Sequence, residues 1–295
     1  MFPGGMGMLT KEAFQSKIDQ GLTFLDGATG SNLLKMGMPR GCCTEKWVLE
    51  HPDALVRLQR GYARAGSQLL YAPTFQAQPM ALEKEGLQRQ TERINAALVA
   101  LSRSAAPEGL IAGDLTTLAA FCDSRCLSNF DLLVENYRRQ IAGLLEGGAD
   151  LLAAETLLYP LEAEAILCAA EAEGASCLLF SFTMQSDGCL FSGEEAGPVL
   201  RDLEEAGAVA VGFNCVAADM MTPYLVTRLR RFVRGNLVCK PNAGNPTISP
   251  EGLPQYSMGP SEFARLMQQC RKNGATLLGG CCGTDPDFIA AMTKP

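Results

Sequence analysis

The sequence predicts an α/β protein folded as a single-domain (β/α)8 barrel, the TIM-barrel architecture, and three observations predict it. Eight polar or amphipathic stretches end in a glycine that is followed by an apolar run of strand length; the glycines are Gly21, Gly66, Gly109, Gly148, Gly174, Gly207, Gly235 and Gly274. The runs are close to continuously apolar instead of strictly alternating, which suits parallel strands covered on both faces. The chain has 295 residues, 47% of them hydrophobic, and no visible linker, a good match to the roughly 250 residues of one such barrel.

In chain order, residues 1–10 are rich in Gly and Met and lack a basic segment leading an apolar one, so they read as a tail and not as a signal peptide. Residues 1–20 are this tail and a lead-in helix; residues 21–295 are the barrel. The expected strands are 22–26, 68–73, 110–114, 150–155, 176–182, 209–215, 236–241 and 275–280. Glycine just past a helix is the usual stop, because it tolerates the left-handed backbone found there. Between the strands lie helical patterns. Leu55, Leu58 and Tyr62 form one apolar stripe. Phe130, Leu133, Val134, Tyr137, Ile141, Leu144 and Leu145 form a second, with Gly147-Gly148 as its stop. Phe263, Leu266, Met267 and Cys270 form a third, behind an expected cap at Ser261. Two connections are long: 36–51, with Cys42, Cys43 and the only Trp, Trp47, and 242–260, rich in Gly, Pro and Asn. Loops that follow barrel strands usually shape the active site. An open doubly wound sheet is the runner-up, but Asp26-Gly27-Ala28-Thr29-Gly30-Ser31 does not match a dinucleotide fingerprint.

Composition excludes several function classes. A net charge of −7 argues against a general nucleic-acid or membrane-surface binder. No apolar run approaches the roughly 20 residues that span a bilayer. The twelve cysteines stand mostly alone inside apolar stretches, as buried free thiols of a cytoplasmic protein do. With one histidine, His51, a histidine-rich metal site is excluded.

Barrel chemistry sits at the C-terminal ends of the strands. Those ends carry Asp26, Thr74, Asp114, Glu155, Thr183, Cys215, Asn242 and the pair Cys281-Cys282. Cys215, Cys281 and Cys282, if they converge at one mouth, can make a three-thiolate zinc site, whose open fourth position would mark a catalytic centre. Three buried thiols, or a vicinal disulfide between Cys281 and Cys282, are the competing possibilities. The pair Cys42-Cys43 lacks strand-end glycines and reads as loop packing. Zinc with three thiolates suits an incoming thiol, which binds as fourth ligand, loses its proton at neutral pH and stays nucleophilic. Asp26 and Glu155 can hold an ammonium group, or pair with a local Arg or Lys. Thr74, with nearby backbone N–H groups, can take a carboxylate. Asn242 can orient a ligand or fix its own turn.

These residues resemble the zinc-dependent homocysteine S-methyltransferase family, from about Leu22 to Ile289. The resemblance is carried by Leu25-Asp26-Gly27-Ala28-Thr29-Gly30, Pro73-Thr74-Phe75, Ala154-Glu155-Thr156, Gly212-Phe213-Asn214-Cys215, Lys240-Pro241-Asn242-Ala243-Gly244-Asn245-Pro246 and Gly279-Gly280-Cys281-Cys282-Gly283-Thr284. The stretch Gly37-Met38-Pro39-Arg40-Gly41-Cys42-Cys43-Thr44-Glu45-Lys46-Trp47 looks most like the N-terminal homocysteine-binding module of cobalamin-dependent methionine synthase. The resemblance implies zinc on Cys215, Cys281 and Cys282, the homocysteine amino group on Asp26 and Glu155, and its carboxylate near Gly27 and Thr74. Two departures stand out: Gly113-Asp114-Leu115-Thr116-Thr117-Leu118 where the family commonly reads Gly-Asp-Ile-Gly-Pro-Thr-Gly, and Phe288 where it often carries His.

The expected function is therefore methylation of homocysteine thiolate to methionine. The expected donor is methylcobalamin on a separate domain or corrinoid protein, since the corrinoid motif Asp-x-His-x-x-Gly is absent and His51 stands in Glu50-His51-Pro52-Asp53. A small donor, S-methylmethionine or betaine, is the alternative; an aromatic pocket built from Trp47, Phe75 or Tyr159 would favour it. A non-catalytic zinc-binding barrel that docks a partner, and a phosphate-binding barrel using Gly279-Gly280, are the readings from other classes.

Overall fold

The computed structural model describes residues 7–185, 187–249 and 254–294; residues 1–6 of the expected tail lie outside them. Its main sheet has seven parallel strands: β1 Leu69–Tyr71, β2 Leu110–Leu115, β3 Leu151–Leu157, β4 Leu178–Phe182, β5 Ala210–Ala217, β6 Leu237–Asn242 and, after a small antiparallel hairpin of β7 Pro246–Ile248 and β8 Pro254–Tyr256, β9 Leu277–Leu278. The order is sequential, β1-β2-β3-β4-β5-β6-β9, with helices in every crossover, so each strand is followed by the element that covers it.

The first expected strand, 22–26, is not a full strand. Phe24 bridges Leu278 on one edge of the sheet and Leu25 bridges Leu69 on the other. Leu25 N–H donates to the Leu278 carbonyl at 2.8 Å, and Gln68 N–H donates to the Phe24 carbonyl at 2.8 Å. The ladder stops there for a local reason. The Gln68 side-chain oxygen accepts from the N–H groups of Thr23 and Phe24, at 2.8 and 3.1 Å, and so takes donors that a ladder would use. The sheet is curled until one short segment touches both of its edges.

The two faces of the strands explain the continuous apolar runs. Leu25, Leu69, Tyr71, Ala112, Leu151, Ala153, Leu179, Ala210, Val238 and Leu277 form an inner cluster, into which the lead-in helix Lys11–Asp19 inserts Phe14. The residues between them in sequence, among them Leu70, Ile111, Leu152, Phe180, Val211 and Leu237, pack outward against the helices. The three sequence-predicted stripes lie on helices Pro52–Ala65, Phe130–Glu146 and Pro260–Lys272. The first ends at Gly66 with φ 105°, the left-handed stop. The cap of the last is Gly259 and not Ser261, because the helix begins at Pro260. The long connection 36–51 contains the helix Thr44–Glu50. Among the described residues no helix is long and apolar enough to cross a membrane.

Candidate active site

Counting by two along the strands explains what lies at the top of the curled sheet. Above the inner apolar residues comes a layer of polar ones in the same inward register: Asp114 after Ala112, Glu155 after Ala153, Ser181 after Leu179, Asn214 after Gly212, and Lys240 after Val238. All five are buried. Over this layer opens a cavity of about 380 Å³, lined among others by Gly27, Tyr71, Phe75, Asp114, Glu155, Lys240, Cys215, Cys281 and Cys282. A larger hollow of about 470 Å³ lies at the opposite, N-terminal ends of the strands, between Lys17, Ser67, Glu108 and Leu110; no cysteine lines it.

The three cysteines converge. Their Sγ atoms all lie within 4.8 Å of one another, with Cys215 Sγ 3.9 Å from Cys282 Sγ. All twelve cysteines are free in this structure, and no disulfide joins Cys281 to Cys282. Tetrahedral zinc–sulfur bonds of about 2.3 Å place sulfurs about 3.8 Å apart, so the three thiols fit a metal of that size with little movement.

Irregular backbone aims them. The β5–β6 register shifts between Asn214 and Ala217, and the β3–β4 register shifts between Ala154 and Leu157. At these bulges Cys215 has φ 57° and Thr156 has φ 59°. A left-handed backbone at a residue other than glycine costs about 1–3 kcal/mol and persists only where its surroundings fix it. Asn214 does the fixing. Its Oδ1 accepts from Thr156 N–H at 2.8 Å and Ser181 Oγ at 2.9 Å, and its Nδ2 donates to Thr156 Oγ1 at 2.7 Å and towards Cys281 Sγ at 3.9 Å. After β9, Cys281 N–H donates to the Pro241 carbonyl at 2.7 Å and Ala243 N–H donates to the Cys282 carbonyl at 2.9 Å. The flanking glycines are steric: a Cβ on Gly279 would lie 2.8 Å from the Asp26 carbonyl oxygen, and one on Gly27 would lie 2.7 Å from Tyr62 Oη.

The thiol cluster favours a shared negative charge. Hydrogen bonds from Cys215 and then Cys281 pull the Cys282 thiol down to about 3, with further help from the Tyr256 hydroxyl of β8. The cost falls on Cys215, whose thiol is pushed up first by its hydrogen bond to Cys281 and then by donating to the Cys282 thiolate.

The carboxylates hold a partner from the chain itself. Lys240 Nζ lies 3.2 Å from Glu155 Oε2 and 3.7 Å from Asp26 Oδ1, the second distance long for a hydrogen bond but within ion-pair reach. It also stands 4.3 Å over the Tyr71 ring. Burial pushes the Asp26 carboxyl up to about 7, against the pull of Lys240, and raises Glu155 as well. Asp26 Oδ2 accepts from Tyr71 N–H at 2.8 Å.

Placement divides the sequence-predicted residues. Cys215, Cys281, Cys282, Gly27 and Glu155 line the cavity, whereas Asp26, Thr74 and Asn242 are buried beside it without lining it. The Thr74 hydroxyl donates to the Asp114 carbonyl at 2.9 Å and accepts from Asp114 N–H at 3.0 Å. Asn242 Nδ2 donates to the Cys215 carbonyl at 3.1 Å. Of the three aromatic candidates only Phe75 reaches the cavity; Trp47 stacks on His51, with centroids 4.4 Å apart, and Tyr159 lies under Arg125. Lys240, Asn214 and Tyr71 were missed as site residues. The signal that finds them is period two along each strand, counted inward from the apolar layer.

A curled parallel sheet with three convergent thiols beside an acid-lined cavity at its C-terminal end defines an α/β enzyme built around a thiol centre able to hold a metal. Comparison with known proteins agrees. The homocysteine S-methyltransferase family pattern matches residues 23–295. Homocysteine S-methyltransferase of Escherichia coli strain K12 is 30% identical over 297 residues, covering 92% of this chain and 94% of that protein. The crystal structure of the Escherichia coli homocysteine methyltransferase MmuM in its metallated form superposes with a TM-score of 0.81 at 27% identity, covering 95% of this chain and 98% of that one; its apo form, with the same identity and coverage, gives 0.73. The chain belongs to the homocysteine S-methyltransferase family.

Proposed function

We propose that this chain transfers a methyl group to the sulfur of homocysteine, giving methionine, with zinc held by Cys215, Cys281 and Cys282. The observation that carries the reading is the convergence of three thiols on the wall of an acid-lined cavity, in a chain of this family. Bound zinc lowers the pKa of an incoming thiol and keeps it as a nucleophilic thiolate.

The chain's residues do the rest. Asn214 holds the strained turns that present Cys215 and Thr156. Tyr256 and Asn242 steady Cys282 and the Cys215 carbonyl. Gly27, at the cavity wall, offers backbone for the acceptor's carboxylate, and Thr74 holds the Asp114 backbone of β2. Asp26 and Glu155 bring negative charge for an amino acid's ammonium group. The segment 23–26 acts as the eighth stave of a (β/α)8 barrel.

A cavity of about 380 Å³ lies near the lower end of the range for ligand pockets, about 300–1,000 Å³. It suits the acceptor with a small onium donor such as S-methylmethionine or betaine, for which the face of Phe75 offers a cation–π contact. Methylcobalamin is far larger and would be presented at the mouth by a separate corrinoid protein; the likeness of Gly37–Trp47 to methionine synthase favours that second reading.

The test measures bound zinc and methionine formation from homocysteine with S-methylmethionine, betaine and methylcobalamin supplied separately. We expect one zinc per chain and turnover with a small donor. Each of Cys215→Ala, Cys281→Ala and Cys282→Ala should lose zinc and at least about 100-fold in activity. Retention of both by all three variants refutes the zinc centre, and zinc without turnover on any donor refutes the substrate.

A further inference from the structure

Glu162 is fully buried, and no step of the reaction above uses it. It stands in the first turn of helix Pro160–Ala172, where its Oε2 accepts from Leu158 N–H at 3.2 Å and Tyr159 N–H at 3.3 Å. That half of the carboxyl group caps the helix. The other half reaches a different element. Its Oε1 accepts from Thr117 Oγ1 at 2.6 Å and from Leu118 N–H at 2.8 Å, residues 45 and 44 positions back in the chain. One side chain thus pins the loop after β2 to the turn after β3.

The same loop reaches Glu155 directly. Thr116 Oγ1 donates to the Glu155 carbonyl at 2.8 Å, and the Thr116 carbonyl in turn accepts from Tyr137 Oη at 3.0 Å. Thr116 and Thr117 stand where the family pattern commonly reads Gly-Pro, and neither of those residues carries a hydroxyl. Both side-chain bonds therefore belong to this chain's departure from that pattern.

Glu155 needs such support. The pairing of β3 with β4 leaves off at Ala154 and resumes at Leu157, and its pairing with β2 ends at Ala154. Glu155 lies beyond both ladders, so the sheet does not fix its backbone. Asn214 fixes Thr156, the left-handed residue that follows. Thr116 holds Glu155 itself, and Glu162 holds residues 158 and 159 on the far side. Glu162 is not part of the cavity wall, and none of its four hydrogen bonds goes to a cysteine.

We propose that Thr116, Thr117 and Glu162 form a brace that aims the Glu155 carboxylate into the cavity, and that these positioning residues set the affinity for an amino-acid acceptor without touching it. The proposal rests on the reading above, in which Glu155 receives the ammonium group of homocysteine.

The experiment compares Thr116→Val and Glu162→Gln with wild type and with Thr116→Ser, which keeps the hydroxyl. The zinc-loaded proteins are titrated by calorimetry, without donor, with homocysteine and with 4-mercaptobutanoate, the same thiol acid lacking the amino group. Methylation of homocysteine is then measured. In Thr116→Val and Glu162→Gln, Kd and KM for homocysteine should rise about 10-fold or more, with kcat within about threefold, because a small displacement is costly at an oriented site. Binding of 4-mercaptobutanoate, which gives Glu155 nothing to hold, should stay within about threefold of wild type, and so should binding of zinc. Thr116→Ser should restore homocysteine binding. A crystal structure of zinc-loaded Glu162→Gln should show the Glu155 carboxylate displaced by about 1 Å or more.

Equal losses for both thiols, or loss of zinc along with homocysteine, would make the three residues general scaffolding and overturn the proposal. Wild-type homocysteine affinity in Thr116→Val would overturn it as well. That variant exchanges a hydroxyl for a methyl of similar size, so it decides the matter even where Glu162→Gln does not fold. Failure of wild type to prefer homocysteine over 4-mercaptobutanoate is a different result and removes the substrate reading. The brace is then judged by the crystal structures of both variants: a displaced Glu155 supports it, and an unmoved Glu155 overturns it.

Discussion

Asp114 carries a charge that the folded chain disfavours, and stability should report it. An unfolded aspartate titrates near 3.9, whereas burial and Glu155 raise the folded carboxyl well above that. Below about pH 4 both states are protonated and the group is neutral in its effect. As pH rises from there towards the folded value, the unfolded chain gains from ionising and the folded chain does not, so stability is lost. Asp114→Asn removes this loss. In urea unfolding of the metal-free protein, the variant and wild type should match within about 0.5 kcal/mol near pH 4, and the variant should become the more stable by at least about 1 kcal/mol at pH 8. Asp26, pushed up to about 7 by burial, slopes the same way in both proteins and largely cancels in the difference. A variant that falls behind wild type as pH rises would show that the Asp114 carboxylate is stabilised in the fold.

At the scale of elements, β5 and β6 carry the site because their backbones come unusually close. Gly212 of β5 faces Val238 of β6, and a Cβ there would overlap the Val238 carbonyl oxygen and amide nitrogen. Backbone cannot swing aside as a side chain can, so Gly212→Ala has to part the strands. We expect a loss of about 3 kcal/mol or more in urea unfolding, together with weaker zinc binding, because Cys215 lies three residues on at the bulge. A variant with wild-type zinc affinity would separate the close approach from the site. Elements differ in how well the sequence announces them. Strands β1 to β6 and β9 were legible, because burial on both faces leaves continuous apolar runs. The hairpin β7–β8 was not, since Pro246, Pro254 and the exposure of all of β7 give it neither alternation nor an apolar run. Cys215, Cys281 and Cys282 were legible as strand ends. Lys240 was not, because it sits two residues before the end of β6, and only the inward register identifies it. The bulges left no trace at all: a left-handed cysteine or threonine looks like any other, and only the contacts of Asn214 account for them.

At the scale of the molecule, the thiols join parts of the sheet that are distant in sequence. Cys215 lies two residues before the end of β5, and Cys281-Cys282 follow β9, with β6 between them. A metal on all three therefore ties together the last strands of the curled sheet, next to the edge where Phe24 and Leu25 make single bridges in place of a ladder. Binding to the folded state alone stabilises by about 4 kcal/mol at a thousandfold excess over Kd. In a domain of this size each kcal/mol moves Tm by roughly 2 °C. The unfolded chain also binds zinc through its twelve cysteines, which lowers the net effect. We therefore expect zinc to raise Tm by about 4–8 °C in a thermal melt. Cys42→Ala, in a connection away from the cluster, should keep that shift, and Cys282→Ala should abolish it. An equal shift in both variants would place the metal elsewhere; loss of the shift only in Cys282→Ala would tie the stability of the curled sheet to the same three sulfurs that face the cavity.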